Sequence, residues 1–533
     1  MSGTEAESGS PLAPPPTRPF LRDAGLVVAA VLLVYGNSLL NGFAYDDVGI
    51  IVRNPIVTEP GRLRDIWLSP YWPRIGERVG LYRPLTIAAF ALQWQLADGA
   101  AWLFHAFSVA LHALACVLLL GVLRRLAGAM PALLGALLFA VHPLHTEAVA
   151  NVVGQAELIA ACAVLGACWL WLSRPQRVAA GRTTVVALLY ALAALAKEHA
   201  LVLPALLVAL DVAAGRARPN VGAWLRSILP AMALLAAVAA SALALRVLAL
   251  GSFMGTDVGS SLTFLHGGGR VWAALRVWPE YLRLLLLPID LSSDYSPAVI
   301  LPPDGPSALV LVGGVLLLGT VALAFALPVL PRTGLVAAWF LILILPVSNL
   351  FYPIGVLLAE RTLYLPSAAL ALALAFAAPR RSAEADARTR RLALVAALAV
   401  LALFGARSAL RNPSWRDSAS VARTLYAEHP ESYRAQWQAA RLTWQQGNAA
   451  AAADHFRLAY RLWPHSAALL TEYGEFLTAT GDAAAAIPLL ERAREMEPLS
   501  ITTERALGRA YARVGDDARA QQSRARLERL TAP

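Results

Sequence analysis

Apolar runs recur along this chain, separated by short stretches in which arginines, acids and prolines gather. A helix that crosses a bilayer needs about 20 mostly apolar residues, and Ala24–Leu40, Trp102–Leu123, Ser307–Leu330 and Leu392–Leu410 come close to or exceed that length. The pattern predicts eleven spans, near 24–40, 101–123, 130–142, 151–172, 183–196, 199–214, 222–250, 306–330, 333–350, 358–378 and 391–410. Three of them (130–142, 183–196 and 199–214) are short for a crossing. Two further apolar segments fit poorly as spans. Pro84–Leu96 is short, and Arg270–Leu287 carries Arg270, Arg276, Glu280 and Arg283 among Trp, Leu and Tyr. That second pattern is the one of a helix lying in the membrane interface. Both segments are expected at the outer surface.

After residue 411 the pattern changes. Pro430, Pro464 and Pro498 are 34 residues apart, and Gly447, Gly481 and Gly515 repeat at the same interval. Small and aromatic residues recur between them: Ala452, Phe456 and Ala459, then Gly474, Ala486 and Ala493, then Gly508, Tyr511 and Ala520. Glycines marking the turn between two helices and prolines closing each unit are the signature of tetratricopeptide (TPR) repeats. The predicted fold is all-α. Residues 24–410 form a polytopic membrane domain with an outer loop at 41–100, 411–429 a connector, and 430–533 a TPR α-solenoid of about three repeats. The segment Asn412–Tyr426 is expected to be an irregular helix. Stacked repeats usually bind an extended peptide on the concave side, with a plain spacer as the alternative.

Composition and charge sharpen this picture. The chain is 58% hydrophobic and 15% charged over 533 residues, against about 45–50% and a quarter in soluble domains. One oversized core cannot explain that, since single cores stop growing near roughly 250–300 residues. The formal charge of +10 does not point to nucleic acid, because the basic residues lie in short clusters between apolar runs. Such clusters mark cytoplasmic loops. They stand at Arg18 and Arg22, Arg124-Arg125, Arg174/Arg177/Arg182, Arg216/Arg218, Arg332 and Arg380 to Arg391. With all of them inside, the N-terminus is cytoplasmic and everything after Arg411 is exoplasmic. Residues 1–23 are Pro/Ser-rich and read as disordered, and the first apolar run as a retained signal anchor. Cys116, Cys162 and Cys168 sit inside apolar helices and imply neither disulfide nor metal.

The polar residues between the runs are the candidates for chemistry. The first outer loop opens with Gly42-Phe43-Ala44-Tyr45-Asp46-Asp47. Charge at the edge of the hydrocarbon is costly, and two adjacent carboxylates couple their titration. One of them can then serve as a base while the other is structural, the competing use being a turn or helix cap. Another outer end reads His142-Pro143-Leu144-His145-Thr146-Glu147, followed by Gln155-Ala156-Glu157. Two His and a Glu suggest a metal, but no Cys accompanies them and Pro143 denies them a common helical face. A hydrogen-bonded polar cluster fits better. Arg83, Lys197-Glu198 and Glu360-Arg361, with Tyr364 just beyond, stand at other predicted outer ends. The planar Arg fork suits a lipid phosphate, and an Arg–Glu pair locking two helices is its competing use. Under the topology above all these groups share one side, with acids to activate a hydroxyl and cations to hold a phosphate.

These residues match a known family. YDDVGIIVRNPIV from Tyr45, YRPLT from Tyr82, FHAFSVALHALA, FAVHPLHTEAVANVVGQAELIA, AKEHALVLPAL, YLRLLLLPIDLSSDYS and ERTLYLPS resemble the transmembrane-and-TPR-containing O-mannosyltransferases, in order and over most of the chain. The resemblance implies a GT-C glycosyltransferase fold, and the Ala- and Arg-rich composition points to a bacterial inner membrane. It also implies a polyprenyl-phosphate-linked mannose as donor and a Ser or Thr hydroxyl of a protein as acceptor. Asp46 or Asp47 would then be the base for an inverting attack, and Arg361, Arg83 and Lys197 would hold the leaving phosphate. His142, His145, Glu147, Glu157, Glu198, Glu360 and Tyr364 would complete the site. No metal is obligatory for a monophosphate leaving group, though Asp46 and Asp47 could hold a divalent cation. The chain departs from the family pattern at Ser108, where Asn is expected, and at Gln155, where Arg is expected. A TPR scaffold without catalysis, or a GT-C enzyme acting on a glycan or lipid, are the alternative readings.

Overall fold

The computed structural model describes residues 20–72, 81–173, 180–217, 220–251, 268–296, 299–300, 305–377 and 387–531. Arg18, Arg174, Arg177, Arg218, Arg380 and most of the expected disordered N-terminus lie outside them. Among the described residues the secondary structure is helical throughout, with no strand. The first helix begins at Phe20, four residues before the expected start, and passes through a 3-10 turn at Gly36–Leu40.

Helices occupy the positions of all eleven expected spans, but they are unequal. Among the described residues six are long and apolar enough to cross a membrane alone: Phe20–Leu40, Ala101–Ala127, Val152–Leu172, Val221–Leu250, Ala308–Phe325 and Arg391–Trp415. The pair Ala129–Val141 and Pro143–Ala150, bent by 49°, makes a seventh if it is one broken span. Ala180–Ala196, Pro331–Val347 and Ala368–Ala377 are shorter apolar helices. The segment 358–367, expected inside a span, is instead irregular chain and a 3-10 turn at Glu360–Leu363, because the helix starts only at Ala368.

Helices whose two ends are pinned by contacts run between two opposite faces. At one face Asp23 pairs with Arg124 at 3.5 Å, and Phe20 stacks on Trp169 at 5.6 Å. Arg216 donates there to the carbonyls of Trp171 and Leu172 at 3.1 and 2.9 Å. The opposite face gathers Asn41, whose amide donates to the Asn412 carbonyl at 3.1 Å, and His105, which meets the Gly42 carbonyl at 3.1 Å. Thus Phe20–Leu40 and Ala101–Ala127 cross in opposite senses. Val221–Leu250 starts where Trp224 Nε1 donates to Asp211 at 3.0 Å and ends near Arg246, which pairs with Glu198 at 3.5 Å on the second face.

Two surfaces confirm that this bundle is built for lipid. On Ala308–Phe325, Leu311, Val315, Leu318 and Phe325 are 62–81% exposed, an area no aqueous surface tolerates as one stripe. The amphipathic helix Gly269–Leu286 buries Ala273, Val277, Trp278 and Tyr281 and aligns Arg276, Glu280 and Arg283 as an ion ladder. Gly313 makes its seat: a Cβ there would fall 1.9 Å from the Leu275 carbonyl.

The tail forms three antiparallel helix pairs, 433–445/449–462, 467–480/483–496 and 501–513/517–531. Gly447, Gly481 and Gly515, the residues spaced by 34, sit at the turns with φ of +81°, +103° and +80°, backbone that only glycine adopts freely. Ser432, Asn448, Ser466, Asp482 and Ser500 cap the helix starts with side-chain oxygens. Phe456 stacks flat on Tyr473 at 5.3 Å, joining the first repeat to the second. The connector is a 3-10 turn at Asn412–Trp415 and a helix at Ser418–Glu428.

Candidate active site

The acidic loop is the most tightly specified part of the second face. Tyr45 adopts a left-handed φ of +52°, which costs an L-residue about 1–2 kcal/mol, and so must be held from outside. The Ser418 hydroxyl accepts its amide at 2.9 Å. Asp47, fully buried, accepts the Ala44 amide at 3.0 Å and the Val153 amide at 2.9 Å, one on each carboxylate oxygen. Gly154 lets the Val152–Gly154 turn come close, since a Cβ there would lie 2.3 Å from the Ala148 carbonyl. Burial pushes the Asp47 carboxyl up to about 7, against the pull of those backbone amides. Asp46 is half-buried and makes no hydrogen bond or ion pair among the described residues. Burial raises its pKa while the nearby guanidinium groups of Arg361 and Arg434 pull it back. The pair has therefore divided its work: Asp47 holds the turn and Asp46 presents a carboxylate.

From Asp46 a chain of alternating charges runs across the face. Arg361 binds Glu147 through its side chain, and its backbone amide donates to the same carboxylate at 2.8 Å. Lys197 pairs with buried Glu157, and burial beside Arg83 and Arg361 lowers the Lys197 ammonium to about 8 despite that partner. Arg83 Nε donates to Glu198 at 2.9 Å, and its guanidinium lies 4.9 Å over the Tyr71 ring. The Tyr82 amide donates to Glu198 at 3.1 Å, and Arg246 pairs with it at 3.5 Å. The forks of Arg361 and Arg83 each spend one N–H on their glutamate side chain, which leaves planar donor edges suited to phosphate oxygens. Eight of the expected residues are thus brought together: Asp46, Asp47, Arg83, Glu147, Glu157, Lys197, Glu198 and Arg361.

Four others are placed elsewhere. His142, His145 and Tyr364 are buried beneath the face rather than lining it. His142 Nε2 meets the Leu285 carbonyl at 3.0 Å, His145 Nε2 the Ser367 hydroxyl at 2.8 Å, and the Tyr364 hydroxyl His112 Nδ1 at 2.7 Å. Phe139 packs against His145 and Tyr364 with centroids 4.3 and 5.2 Å away. Glu360 faces away from Arg361 and accepts from the Tyr295 hydroxyl at 2.7 Å and the Ser292 amide at 2.5 Å. Gln155, standing in place of Arg, forms a reciprocal amide pair with Gln93 at 2.8 and 2.9 Å. Ser108 donates to the Phe104 carbonyl at 3.1 Å.

Three groups at this face were not anticipated: Arg246, Arg434 and Asp294. A lone Arg near the end of the apolar helix Val221–Leu250 was a readable signal for the first. The other two reach the face only through tertiary packing. A divalent cation held at Asp46 and Asp47 would draw most of its oxygens from water or substrate phosphate. Both Asp47 oxygens are turned to backbone amides, and among the described residues no three His, Cys, Asp or Glu side chains could share an ion.

The fold and face define a class: a polytopic all-helical membrane protein with a charged site at one membrane face and a TPR arm on that same face. Comparisons with known proteins agree. A tetratricopeptide repeat family model matches residues 443–502. Protein O-mannosyl-transferase TMTC4 of Mus musculus is 27% identical over 81% of this chain and 66% of its own length. Protein O-mannosyl-transferase TMTC1 of Homo sapiens is 26% identical over 86% of this chain and 57% of its own. Protein O-mannosyl-transferase TMTC3 of Mus musculus is 37% identical over 27% of this chain and 16% of its own. The resemblance carried by the sequence motifs is therefore borne out along most of the chain, and the chain spans less than two thirds of the length of these relatives. A crystal structure of ArnT from Cupriavidus metallidurans bound to undecaprenyl phosphate covers 85% of this chain and 79% of that one, at 14% identity and a TM-score of 0.39. That likeness is too distant for sites to be aligned on it.

Proposed function

We propose that this protein is a membrane glycosyltransferase that moves a sugar, mannose by analogy with its relatives, from a polyprenyl-phosphate carrier to a Ser or Thr hydroxyl of a protein. The carrying observation is Asp46, the carboxylate of the charged chain with no partner of its own, set beside the Arg361 guanidinium. In this reading Asp46 takes the proton of the acceptor hydroxyl, and the oxygen attacks the anomeric carbon from the side opposite the phosphate, inverting it. The bond to the phosphate oxygen breaks, and the free edges of Arg361 and Arg83 with the Lys197 ammonium stabilise the departing charge. Glu147, Glu157 and Glu198 keep those cations in place.

The basic residues Arg124, Arg125 and Arg216 belong to the face opposite the site, and the bias of Lys and Arg toward the cytoplasm supports an exoplasmic site face. The repeat arm then lies on the acceptor's side of the membrane. Intact-mass comparison of envelope proteins from cells with and without the gene tests the function. A protein that loses hexose units in the deletion strain is the expected result, and unchanged masses of both proteins and envelope glycans would refute transfer. Topology has a separate test, in which a reporter fused after residue 533 must be active only in the exoplasmic compartment.

A further inference from the structure

Where the repeat arm meets the membrane domain, the junction is built around one side chain. Arg434 is the second residue of the first repeat helix, Tyr433–Gln445. Its Nη1 donates to the Tyr45 hydroxyl at 3.1 Å, its Nε donates to the Tyr433 hydroxyl at 3.1 Å, and it pairs with Asp294 at 3.5 Å. Asp294 belongs to the loop that follows the interfacial helix, and Ser432, the cap of the same repeat helix, contacts Ser296 of that loop at 3.2 Å. The connector adds two bonds to the acidic loop. The Gly42 amide donates to the Arg416 carbonyl at 2.8 Å, and the Tyr45 amide to Ser418 at 2.9 Å. Tyr45 is the strained residue on which the presentation of Asp46 depends, and both its backbone and its side chain are held by groups beyond residue 411. A recruiting tether needs none of this.

We propose that Arg434 is a positioning residue of the transfer site: it fastens the Tyr45–Asp47 turn to the first repeat, so that the arm and the Asp46 carboxylate share one geometry. The inference rests on the transferase reading for its effect on rate, and on the junction alone for its effect on order. Charged and titratable groups around Asp46 are Arg361 from the loop before Ala368–Ala377, Arg434 from the arm, Asp47 and Tyr45 on its own turn, and Tyr71 from the outer loop. With Arg434 removed, Arg361 is the remaining guanidinium beside Asp46, so the carboxyl holds its proton to higher pH.

The test uses the full-length protein in detergent with Arg434→Ala, Arg434→Lys and, as control, Arg457→Ala, an exposed pair with Asp454 on the next helix. Hydrogen exchange is followed over residues 42–54, and initial transfer rate is followed against pH. For Arg434→Ala we expect exchange in 42–54 at least tenfold faster and kcat down about tenfold or more. Donor KM should stay within twofold, and the acidic limb of the rate profile should move upward. Arg434→Lys should recover the position of the acidic limb but not the full exchange protection, because it restores charge without the fork. Wild-type exchange and wild-type kcat in Arg434→Ala would overturn the proposal. A chain that transfers no sugar in any form, wild type included, would sink the transferase reading, and the exchange comparison would still decide the junction.

Discussion

The division of labour between Asp46 and Asp47 makes a prediction that can fail in either half. Asp47 accepts two backbone amides, from Ala44 and Val153, one on each oxygen. Asparagine offers one acceptor and one NH2 group, so in Asp47→Asn one of those buried amides faces a donor. Leaving a buried polar group unsatisfied costs about 1–3 kcal/mol, enough to lower the melting temperature by several degrees. The turn would loosen and transfer would fall, but the reacting groups would all remain. Asp46 has no such bonds to lose. Asp46→Asn should melt no lower than wild type, since it loses no hydrogen bond and removes a partly desolvated charge. Its transfer rate should drop about 10²–10⁴-fold, the usual contribution of a general base. Both variants would be melted by tryptophan fluorescence in detergent and assayed for initial rate under identical conditions. The reverse pattern, a stable but inactive Asp47→Asn beside a destabilised and active Asp46→Asn, would refute the reasoning.

Three further outcomes follow from the same geometry. Lys197 is lowered to about 8 by burial, so it loses its charge as pH rises past that value and donor KM should climb between roughly pH 7.5 and 9. Lys197→Arg stays charged and should flatten that rise, and an identical pH dependence would exclude Lys197 from phosphate binding. Gly154→Ala puts a Cβ against the Ala148 backbone and should destabilise by about 1–3 kcal/mol, with faster amide exchange at Val153. Wild-type protection there would break the link between Gly154 and the Asp47 clamp. Glu360 is raised to about 7 by burial, above the roughly 4.3 of an unfolded glutamate. The folded state therefore holds its proton more tightly, and the corresponding stability is complete below about pH 4 and is lost as pH rises through 7, by about 4 kcal/mol. Glu360→Gln should remove most of that slope from melting temperature against pH.

Much of this arrangement was legible because it is written locally. The helical runs, the 34-residue spacing of Gly447, Gly481 and Gly515, and the gathering of Asp46, Arg83, Lys197 and Arg361 on one face all follow from hydropathy, period and the placement of arginines. The start of the helix Ala368–Ala377 was less so: a hydropathy run from 358 does not reveal that irregular chain and a 3-10 turn come first. What local pattern could not hold was partnership at a distance. Nothing near Asp47 announces the Val153 amide 106 residues away, which decides which carboxylate is free. His145 and Tyr364 carry the right chemistry for a site, and their packing on Phe139 is set by residues far apart in the chain. Arg434 sits in a repeat whose period explains its helix but not its side chain, which serves a turn 389 residues earlier.

The central claim is that this chain itself moves a sugar from a polyprenyl phosphate to a hydroxyl. The direct measurement is mass spectrometry of a Ser/Thr-rich acceptor peptide incubated with purified full-length protein and polyprenyl-phosphate-mannose in detergent, beside the Asp46→Asn variant. The account predicts a gain of one hexose per modified site with wild type and a loss of that gain by at least about a hundredfold in the variant. An unmodified peptide with a well-folded wild-type protein, across peptide, glycan and lipid acceptors alike, or equal transfer by Asp46→Asn, would contradict it.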